Sequence, residues 1–508
     1  MATTDETKEL VMGYRAAAAK IPCGRSRSPA RVDFQWWAAQ GLNDTALVTS
    51  GNKITPLIDG QKAMQEIYNE FLDAKYYILL TGWDIDIDAP LLGPNQPDST
   101  LIKLLEQIVN DPGRLVKFRL VLWERESSDL LGKTSFLVKD SPRNIYRQAL
   151  RLEHASIPKQ ASPIMTEDGT RPDYRCKTIV YDQTRLAGSL HQKTAVVDGR
   201  VAFCGGIDLA KWRWAPSNHE GKYNWHDVHA KIEGPAVRSI QENFVRRWKA
   251  EASDWTDDAV LKQAALNDAE LRRLRAWERD KSLDLTLRDS AGLPGSLDAQ
   301  VIRSIHAASD SDIEDHSYLE SCARAIINAR HYIYIENQFF NCPFLAGLLL
   351  DRLRAMRSLH LIVLMPYPEL LEQGWLVDLF PGHKILDLDQ LSALAREDPH
   401  RVTIAKRCTP EGYPLFVHAK VMIVDDVYAS IGSSNFTVRS FETVDEELGI
   451  AWMDRPGGSV TEFRKALWSE HLGLKTDDPA LIQPSGAGLM KLWLRALSDK
   501  VQDFFSKD

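Results

Sequence analysis

The feature that most constrains this chain is an internal duplication. A segment of the pattern HxKxxxxD occurs twice, as HQKTAVVD at 191–198 and as HAKVMIVD at 418–425. At average residue usage, one such match is expected by chance in about a few per cent of chains of this length. In both copies a glycine-rich turn places a polar residue 17 positions after the histidine, Asp208 in GGID and Asn435 in GSSN. The chain is therefore predicted to consist of two related halves.

The elements around the two motifs recur in the same order. Each half begins with a helix-like stretch that changes to strand-like alternation. Six candidate strands follow in each half, at 74–84, 117–123, 177–182, 190–199, 202–208 and 226–234 in the first and at 329–340, 359–365, 401–407, 417–426, 429–435 and 446–454 in the second. This order predicts an α/β fold of two similar halves, each a mixed sheet flanked by helices, packed about a pseudo-twofold axis.

The repeat also sets the expected domain boundaries. We predict an N-terminal extension at 1–50, a first half at 51–250, connecting helices and a loop at 251–297, a second half at 298–475 and a C-terminal helix at 476–508. Each half then contains one copy of the motif. Packing of the halves would bring both copies to one cleft.

Composition and charge exclude several classes of protein. The chain has 62 Lys and Arg against 70 Asp and Glu, a net charge of −8, so no general attraction to nucleic acid is expected. No apolar stretch approaches the roughly 18 residues that span a bilayer, and the N-terminus lacks a secretory signal pattern. The six cysteines are scattered without a CxxC pair, which argues against zinc and against a disulfide framework. We expect a monomer that is cytoplasmic or exported without a cleaved signal peptide.

The residue types in the motif suit attack on a phosphodiester. Residues two apart on a strand share a face, so His191 and Lys193 are expected to point the same way, as are His418 and Lys420. An imidazole can act as nucleophile or acid, and an ammonium can neutralise charge on phosphoryl oxygens. The motif therefore supplies the groups that phosphoryl transfer requires.

The aspartate that closes each motif, Asp198 or Asp425, has the opposite parity on the strand. With the two histidines and two lysines, Asp198 and Asp425 make up the six candidate catalytic residues. We interpret both aspartates as structural partners rather than catalysts. One half supplies a single histidine, whereas the reaction needs a nucleophile and an acid for the leaving group. Two halves packed together would supply both.

The two motifs, together with GGID, GSSN, WHD at 225–227 and IYIENQFF at 333–340, closely resemble the phospholipase D superfamily and its eukaryotic-type members in particular. The resemblance runs from about residue 56 to 449. It implies the two-half phospholipase D fold and hydrolysis of phosphatidylcholine-like lipids to phosphatidic acid and free head group. It also implies a phosphohistidine intermediate and transfer of the phosphatidyl group to alcohols. No calcium-dependent or phosphoinositide-binding module is visible, so such regulation is not implied.

The resemblance assigns roles to individual residues. His191 would be the nucleophile, and His418 would be the general acid and afterwards the base. The phosphate would be bound by four residues, Lys193, Lys420, Asn435 and Asp208. Asp227 and Glu447 match the carboxylates that orient the two histidines. Glu446 is the alternative to Glu447, because the register there is uncertain by one.

Two aromatic segments are candidate lipid contacts. Trp212, Trp214 and Trp225 follow the first motif and could form a cage for a quaternary ammonium head group, with core packing as the alternative. The stretch 368–384 contains three further candidates for membrane contact, Trp375, Leu376 and Phe380, which would instead be core if buried. The expected partner is a phospholipid membrane surface, contacted peripherally.

No metal or other cofactor is expected for the chemistry, although a divalent cation could stimulate activity. His226 and His229 in WHDVH have the spacing of a metal pair on a strand, but structural histidines are the simpler interpretation, since no third ligand cluster is evident in the sequence. Two other functions stay open. A nuclease or another phosphodiesterase of the superfamily is disfavoured by the acidic charge, and a non-enzymatic lipid-binding relative is disfavoured by the complete motifs.

Overall fold

The first half of the chain alternates strands and helices. The computed structural model describes residues 37–39, 47–124, 151–152, 155, 176–182, 189–220, 224–251, 283–290, 292–305, 314–371, 388–398, 400–482, 492–493 and 501–504. The strands of the first half are β1 (Val48–Ile58), β2 (Tyr77–Gly82), β3 (Lys117–Glu124), β4 (Cys176–Asp182), β5 (Thr194–Val197), β6 (Val201–Gly205), β7 (Trp225–His226) and β8 (Val228–Glu233). Its helices are α1 (Gly60–Leu72), α2 (Leu101–Val109) and α3 (Ala236–Glu251), with a 3₁₀ turn at Lys211–Arg213.

The second half repeats this order. Its strands are β9 (Leu297–Ser304), β10 (Tyr332–Glu336), β11 (Phe340–Asn341), β12 (His360–Leu364), β13 (Val402–Arg407), β14 (Phe416–Val417), β15 (Val421–Val424), β16 (Tyr428–Gly432), β17 (Phe436–Thr437), β18 (Glu447–Met453) and β19 (Val501–Asp503). Its helices are α4 (Ser317–Asn328), α5 (Pro343–Ala355), α6 (Pro368–Leu371), α7 (Leu388–Glu397), α8 (Ser459–Leu472) and α9 (Pro479–Ile482), with a π-helical turn at Arg439–Thr443.

All six predicted strand pairs are present, and the two halves contribute them to one continuous sheet. The order of its 15 strands is β19-β13-β12-β10-β15-β16-β18-β9-β1-β8-β6-β5-β2-β3-β4. Read outwards from the β1–β9 pair, the two sides match strand for strand except for the additional edge strand β19, which is the pseudo-twofold arrangement. The outer strands β2, β3 and β4 are parallel, as are β10, β12 and β13. The α/β fold predicted from the repeat is confirmed.

The sequence suggested a separate sheet in each half, but β1 and β9 join the two into one sheet. Val48 of β1 pairs antiparallel with Gln300 of β9, and Thr49 pairs with Ala299. Neither strand was among the predicted repeats. The antiparallel β1–β9 pair therefore fixes the two halves relative to each other at the centre of the sheet.

Alternating side chains of the strands pack on two helical layers. On one face, a single apolar core contains residues of α3 and α8, namely Val237, Ile240, Phe244, Trp248, Val460, Phe463, Leu467 and Trp468. Their spacing of three and four residues gives each helix one apolar face. On the other face α1 and α2 pack on the first half, and α4 and α5 pack on the second. The core formed with α3 and α8 spans both halves.

The end of the chain differs from the predicted C-terminal helix. Residues 501–503 form strand β19, which pairs antiparallel with β13. The outer edge of β13 would otherwise present unpaired backbone groups, and an added strand satisfies them. The described helix in this region is the short α9. A helix throughout 476–508 is therefore wrong for the part that forms β19.

Candidate active site

Each HxKxxxxD motif is held by backbone pairing with the other half. The amide of His191 donates to the carbonyl oxygen of Glu446 at 2.9 Å, and the neighbouring Leu190 forms a parallel bridge with Glu446. The second motif mirrors this arrangement, since β14 pairs in parallel with β7 and the amide of His418 donates to the carbonyl oxygen of His226 at 2.7 Å. The histidine and lysine of each motif consequently precede β5 or β15 rather than lying within the strand.

A carboxylate from the opposite half contacts Nδ1 of each histidine. Nδ1 of His191 lies 2.9 Å from Oε2 of Glu447, and Nδ1 of His418 lies 2.7 Å from Oδ2 of Asp227. All four side chains are buried. Within the described part of the chain, no hydrogen bond occupies Nε2 of either ring, so this nitrogen is available to a ligand. Each half is therefore incomplete without the other.

The register left open by the sequence is resolved in favour of Glu447. Glu446 points elsewhere and forms a buried ion pair with Arg247. Adjacent residues on a strand face opposite sides of the sheet, so only one of the two glutamates can reach the histidine. Ser433, from the second glycine-rich turn, donates to the Glu447 carboxylate and helps to fix it.

Burial and nearby cations keep both imidazoles neutral. Desolvation lowers the pKa of His191 well below its usual value, and Lys193 and Lys420 lower it further. The pKa of His418 is lowered in the same way, by burial first and then by Lys420 and Arg213. Burial raises the pKa of Glu447 to about 8. A neutral ring whose Nδ1–H donates to an ionised carboxylate has a lone pair on Nε2, as a nucleophile or base requires. The nucleophilic form of the His191–Glu447 pair is therefore the one in which Glu447 has lost its proton.

The two motif lysines have different partners. Nζ of Lys193 lies 3.4 Å from Oδ2 of Asp208, whose other oxygen accepts the amides of Trp83 and Asp84. The residue that matches Asp208 in the second half is Asn435, and its buried Oδ1 has no hydrogen-bond partner among the described residues. These positions agree with a site for an anion that lies between the lysines.

The pKa of Lys420 is lowered more strongly than that of the other motif lysine, Lys193. Burial lowers it to about 7, and the positive charges of Lys193 and Arg213 oppose protonation further. Burial also lowers the pKa of Lys193, but the adjacent Asp208 opposes that change. The Lys420 ammonium is therefore the motif charge that is lost first as pH rises.

The motif aspartates bind backbone and not the reacting groups. Asp198 accepts hydrogen bonds from the amides of residues 75, 76 and 77, and Asp425 accepts them from residues 330, 331 and 332. Both adopt positive φ, 55° and 56°. They anchor the chain at the starts of β2 and β10, the two strands that lie next to β5 and β15. Both therefore hold structural positions.

An aromatic ring lies beside each motif histidine. The ring centroid of Trp83 is 5.8 Å from that of His191, and the centroid of Trp225 is 5.0 Å from that of His418. The guanidinium of Arg213 stacks on Trp225 at 4.2 Å. Sequence reasoning missed Trp83, which lies within a repeated segment, and Arg213, which lies between two of them, because their counterparts in the second half are different residue types.

A family model described as Phospholipase D matches residues 216–345 and 388–508. The chain belongs to the phospholipase D superfamily. It is 23% identical to phospholipase D beta 2 of Arabidopsis thaliana over 580 residues, which cover 88% of this chain and 60% of that protein. It is 24% identical to phospholipase D alpha 2 of Oryza sativa subsp. japonica over 572 residues, which cover 88% of this chain and 67% of that protein. The chain thus spans about 60% of the length of the first of these relatives.

A solved structure shows the same fold in a more distant protein. Phosphatidylserine synthase of Haemophilus influenzae Rd KW20 superposes with a TM-score of 0.52 at 13% identity, covering 80% of this chain and 84% of that one. This likeness supports the fold alone. The relatives named phospholipase D support a phosphodiesterase function of that family for this chain.

The three tryptophans predicted to cage a head group have different surroundings in this phospholipase D relative. Trp212 is 61% exposed, whereas Trp214 packs against Gly93 beside the first-half core. Trp225 stacks on Phe416 with centroids 4.6 Å apart, and Arg213 stacks on it as well. Because both contacts use the face of the Trp225 ring, that ring is a poor wall for a quaternary ammonium.

The predicted membrane contacts Trp375, Leu376 and Phe380 lie outside the described residues. Within the described ranges, none of the helices combines the length and apolar character needed to cross a bilayer.

A second buried cluster of ligand-type side chains lies next to the orienting carboxylate Asp227. It contains Asp59, His219, His226 and Glu470, whose nearest nitrogen and oxygen atoms all lie within 4.8 Å of one another. Two imidazoles and two carboxylates are a donor set that a divalent cation accepts. One oxygen of Asp59 and Nδ1 of His219 lack hydrogen-bond partners among the described residues, which leaves donor atoms for a ligand.

The contacts of the histidines in WHDVH agree with structural roles, although His226 belongs to a cluster that the sequence did not reveal. His226 does not pair with His229. His229 is a residue of β8, and its Nδ1 accepts a hydrogen bond from the amide of Ile207 at 3.3 Å. Instead His226 lies between Asp59 and Glu336, each 2.9 Å away, and their charges raise its pKa well above the usual value. The sequence suggested no third ligand cluster because these partners are distant along the chain. A protonated His226 offsets part of the negative charge of these carboxylates.

Proposed function

We propose that this protein is a phospholipase D that hydrolyses the terminal phosphodiester of phosphatidylcholine-like glycerophospholipids. The products are phosphatidic acid and the free head group, and alcohols replace water as acceptors in transphosphatidylation. The observation that carries the proposal is the crossed pair of buried histidine–carboxylate contacts, His191 with Glu447 and His418 with Asp227. It supplies two imidazoles with free Nε2 atoms in one site. The relatives named phospholipase D support a phospholipid as the substrate.

In the first step of the proposed mechanism, Nε2 of His191 attacks the phosphorus. The bond between phosphorus and the head-group oxygen breaks, and a proton from Nε2 of His418 goes to that oxygen. The result is a phosphohistidine on His191 and a free alcohol. Since the free site holds His418 neutral, the negative phosphate must raise the pKa of His418 when it binds, which is the usual effect of an adjacent anion.

In the second step, His418 acts as the base. Its Nε2 takes a proton from water or from an alcohol, whose oxygen attacks the phosphorus while the bond to His191 breaks. Glu447 and Asp227 stabilise the positive charge that develops on each ring, as the aspartate of a catalytic triad does. The assignment of nucleophile and acid to these particular histidines rests on the family resemblance.

Lys193, Lys420, Asn435 and Asp208 form the proposed phosphate site. The two ammonium groups balance charge on the non-bridging oxygens, and this charge grows as the leaving group departs. Asn435 offers its side-chain amide, while Asp208 keeps Lys193 in position. No step needs a metal ion or another cofactor. A divalent cation would stimulate by helping an acidic protein reach an anionic membrane surface, where we propose that the protein acts as a peripheral monomer.

Product analysis on mixed phospholipid vesicles tests the proposal. Vesicles of phosphatidylcholine, phosphatidylethanolamine and phosphatidylglycerol would be incubated with and without ethanol, with His191→Asn protein as the control for contaminating activity. We expect phosphatidic acid without ethanol and phosphatidylethanol with it. Cleavage of bis(p-nitrophenyl) phosphate with neither lipid product would indicate a different phosphodiesterase. Cleavage of neither substrate would indicate a lipid-binding protein.

A further inference from the structure

Arg213 is a buried cation beside the active site for which the mechanism above provides no role. It ends the 3₁₀ turn at Lys211–Arg213 and is 5% exposed. Its ion-pair partner is Asp84, whose Oδ2 is 3.9 Å from the guanidinium, at the limit of a salt bridge. Its Nε has no hydrogen-bond partner among the described residues. A buried guanidinium with one distant carboxylate is costly unless another anion neutralises it.

The Arg213 guanidinium lies against the aromatic ring that is next to His418. It is 4.2 Å from the centroid of Trp225, and that centroid lies 5.0 Å from the His418 ring. The charge of Arg213 lowers the pKa of both His418 and Lys420, which places it within electrostatic reach of the reacting groups. A side chain at Gly60 would overlap the Arg213 carbonyl, so the turn packs closely on the start of α1.

The second half of the chain has no equivalent of this cation in its described residues. Arg213 follows Asp208 by five positions, and the residue five positions after Asn435 is Ser440. The adjacent Arg439 is held by Asp445 through two contacts, from Nε at 3.0 Å and from an amino group at 2.7 Å. An arginine that is fully engaged by a carboxylate is not available to a substrate. Among the described residues the site therefore has one such cation, which contacts the Trp225 ring that lies beside His418.

We infer that Arg213 is a third phosphate-binding cation, which contacts an oxygen of the scissile phosphodiester on the His418 side of the cleft. Asp84 holds the guanidinium until substrate binds, and the phosphate then replaces this weak partner. The planar guanidinium suits the task, because it presents parallel N–H donors that match two oxygens of a phosphate. Stacking on Trp225 fixes the plane of the Arg213 guanidinium. The inference rests on the proposed function only for the identity of the diester.

Binding of inorganic phosphate tests the inference without any need for turnover. Calorimetry would compare the wild type with Arg213→Gln, Asp84→Asn and the double variant. We expect Arg213→Gln to weaken phosphate binding about 10-fold or more, the effect of losing a charge-assisted hydrogen bond. Lys211→Gln is the matched control, since it removes an exposed charge from the same turn, and it should change the affinity little.

Asp84→Asn should act in the opposite direction and strengthen phosphate binding several-fold, because the competing carboxylate is removed. Most of that gain should disappear in the double variant, and this coupling separates a direct competition from a general change in charge. Arg213→Gln that keeps the wild-type melting temperature and the wild-type affinity would overturn the inference. If Arg213→Gln does not fold, Asp84→Asn decides alone, and unchanged or weaker phosphate binding would overturn it. If the variants change phosphate affinity as predicted but the wild type does not turn over lipid, the inference about Arg213 stands and the proposed phospholipase D function is contradicted.

Discussion

The surroundings of His191 and His418 show which parts of a duplicated unit were kept and which diverged. Both histidines lie before a buried strand, contact a carboxylate of the other half through Nδ1 and are followed by a lysine that donates to the histidine carbonyl. The backbone frame and the cross-half contacts are thus the same. Such contacts cannot change in one half alone, because each histidine depends on a residue of the other copy.

The charges around this common frame differ. On the His191 side, Asp208 balances Lys193, whereas on the His418 side the corresponding residue is the neutral Asn435. Arg213 adds a further positive charge near His418. The two sides therefore share a backbone frame but differ in the charges around it. A two-step reaction can use this difference, since one imidazole must attack phosphorus while the other exchanges protons.

The largest expected difference between the two sides concerns the histidines themselves. His191→Asn should abolish turnover of lipid and of an activated p-nitrophenyl phosphodiester, because no covalent adduct can form with either. His418→Asn should abolish lipid turnover but allow one burst of p-nitrophenol, because this leaving group needs little protonation. Stopped-flow absorbance at the p-nitrophenolate band measures the burst. A burst from His191→Asn and none from His418→Asn would reverse the roles.

The orienting carboxylates should give the next largest effects. Glu447→Gln and Asp227→Asn are each expected to lower kcat about 10²- to 10⁴-fold, by analogy with loss of a triad carboxylate. Glu447→Gln should slow formation of the adduct, since it acts on His191, and Asp227→Asn should mainly slow its breakdown. Pre-steady-state kinetics with the activated ester separates the two steps. Equal effects on both steps from both variants would contradict the crossed assignment.

Glu446→Gln is the control for Glu447→Gln, because it neutralises the adjacent glutamate, whose carboxylate does not contact the His191 ring. Glu446 pairs with the buried Arg247, so its neutralisation should lower the melting temperature by removing a charged partner from a buried guanidinium. The kcat of the folded fraction should stay close to that of the wild type. If Glu446→Gln lost activity at unchanged stability, Glu446 rather than Glu447 would be the orienting residue.

The lysines should differ in their response to pH. Because burial lowers the pKa of Lys420 to about 7, kcat/KM should fall as pH rises through that value and the ammonium is lost. Asn435→Asp copies the first-half arrangement and should move this basic limb upward by roughly one pH unit, since an adjacent carboxylate favours the charged form. Its maximal kcat/KM should fall, because the new carboxylate repels phosphate. A basic limb that stays in place would show that residue 435 does not face Lys420 in the way that Asp208 faces Lys193.

Substitution of the motif aspartates should have the smallest effects on catalysis, and the effects of the two substitutions should be nearly equal. Asp198→Asn and Asp425→Asn remove one charge from equivalent sets of backbone hydrogen bonds, at positions of positive φ that asparagine tolerates. Each should lower the free energy of unfolding by about 1–3 kcal/mol, measured by urea denaturation. The kcat of the folded protein should change only a few-fold. A large loss of kcat in one variant alone would show that the shared frame has diverged there.

The sequence was sufficient to predict the six repeated strands and the residues of the two motifs. Each strand is a run of several apolar or alternating residues, and each occurs twice, so one copy supports the other. The duplication also indicated that both motifs meet in one cleft. The cross-half partners Asp227 and Glu447 came from the family resemblance, and only the structure separated Glu447 from Glu446.

Other features have no signal in the sequence because they arise from contacts between distant segments. Strands β7 and β14 have two residues each, which is too short for any periodicity. The merging of the two sheets through β1 and β9 depends on edge pairing between strands almost 250 residues apart. The cluster around His226 likewise draws its partners from residue 59 to residue 470. Arg213 stands out only once its burial and its single weak partner are known.

The central claim is that the crossed site forms a phosphohistidine on the first-half histidine. The most direct measurement is mass spectrometry of peptides from protein that is rapidly quenched in base during turnover of the activated ester. We predict phosphate on the peptide that contains His191, in the wild type at low occupancy and in His418→Asn at high occupancy, because the base for its hydrolysis is missing there. The absence of any phosphohistidine in His418→Asn after a full burst of p-nitrophenol would contradict the account.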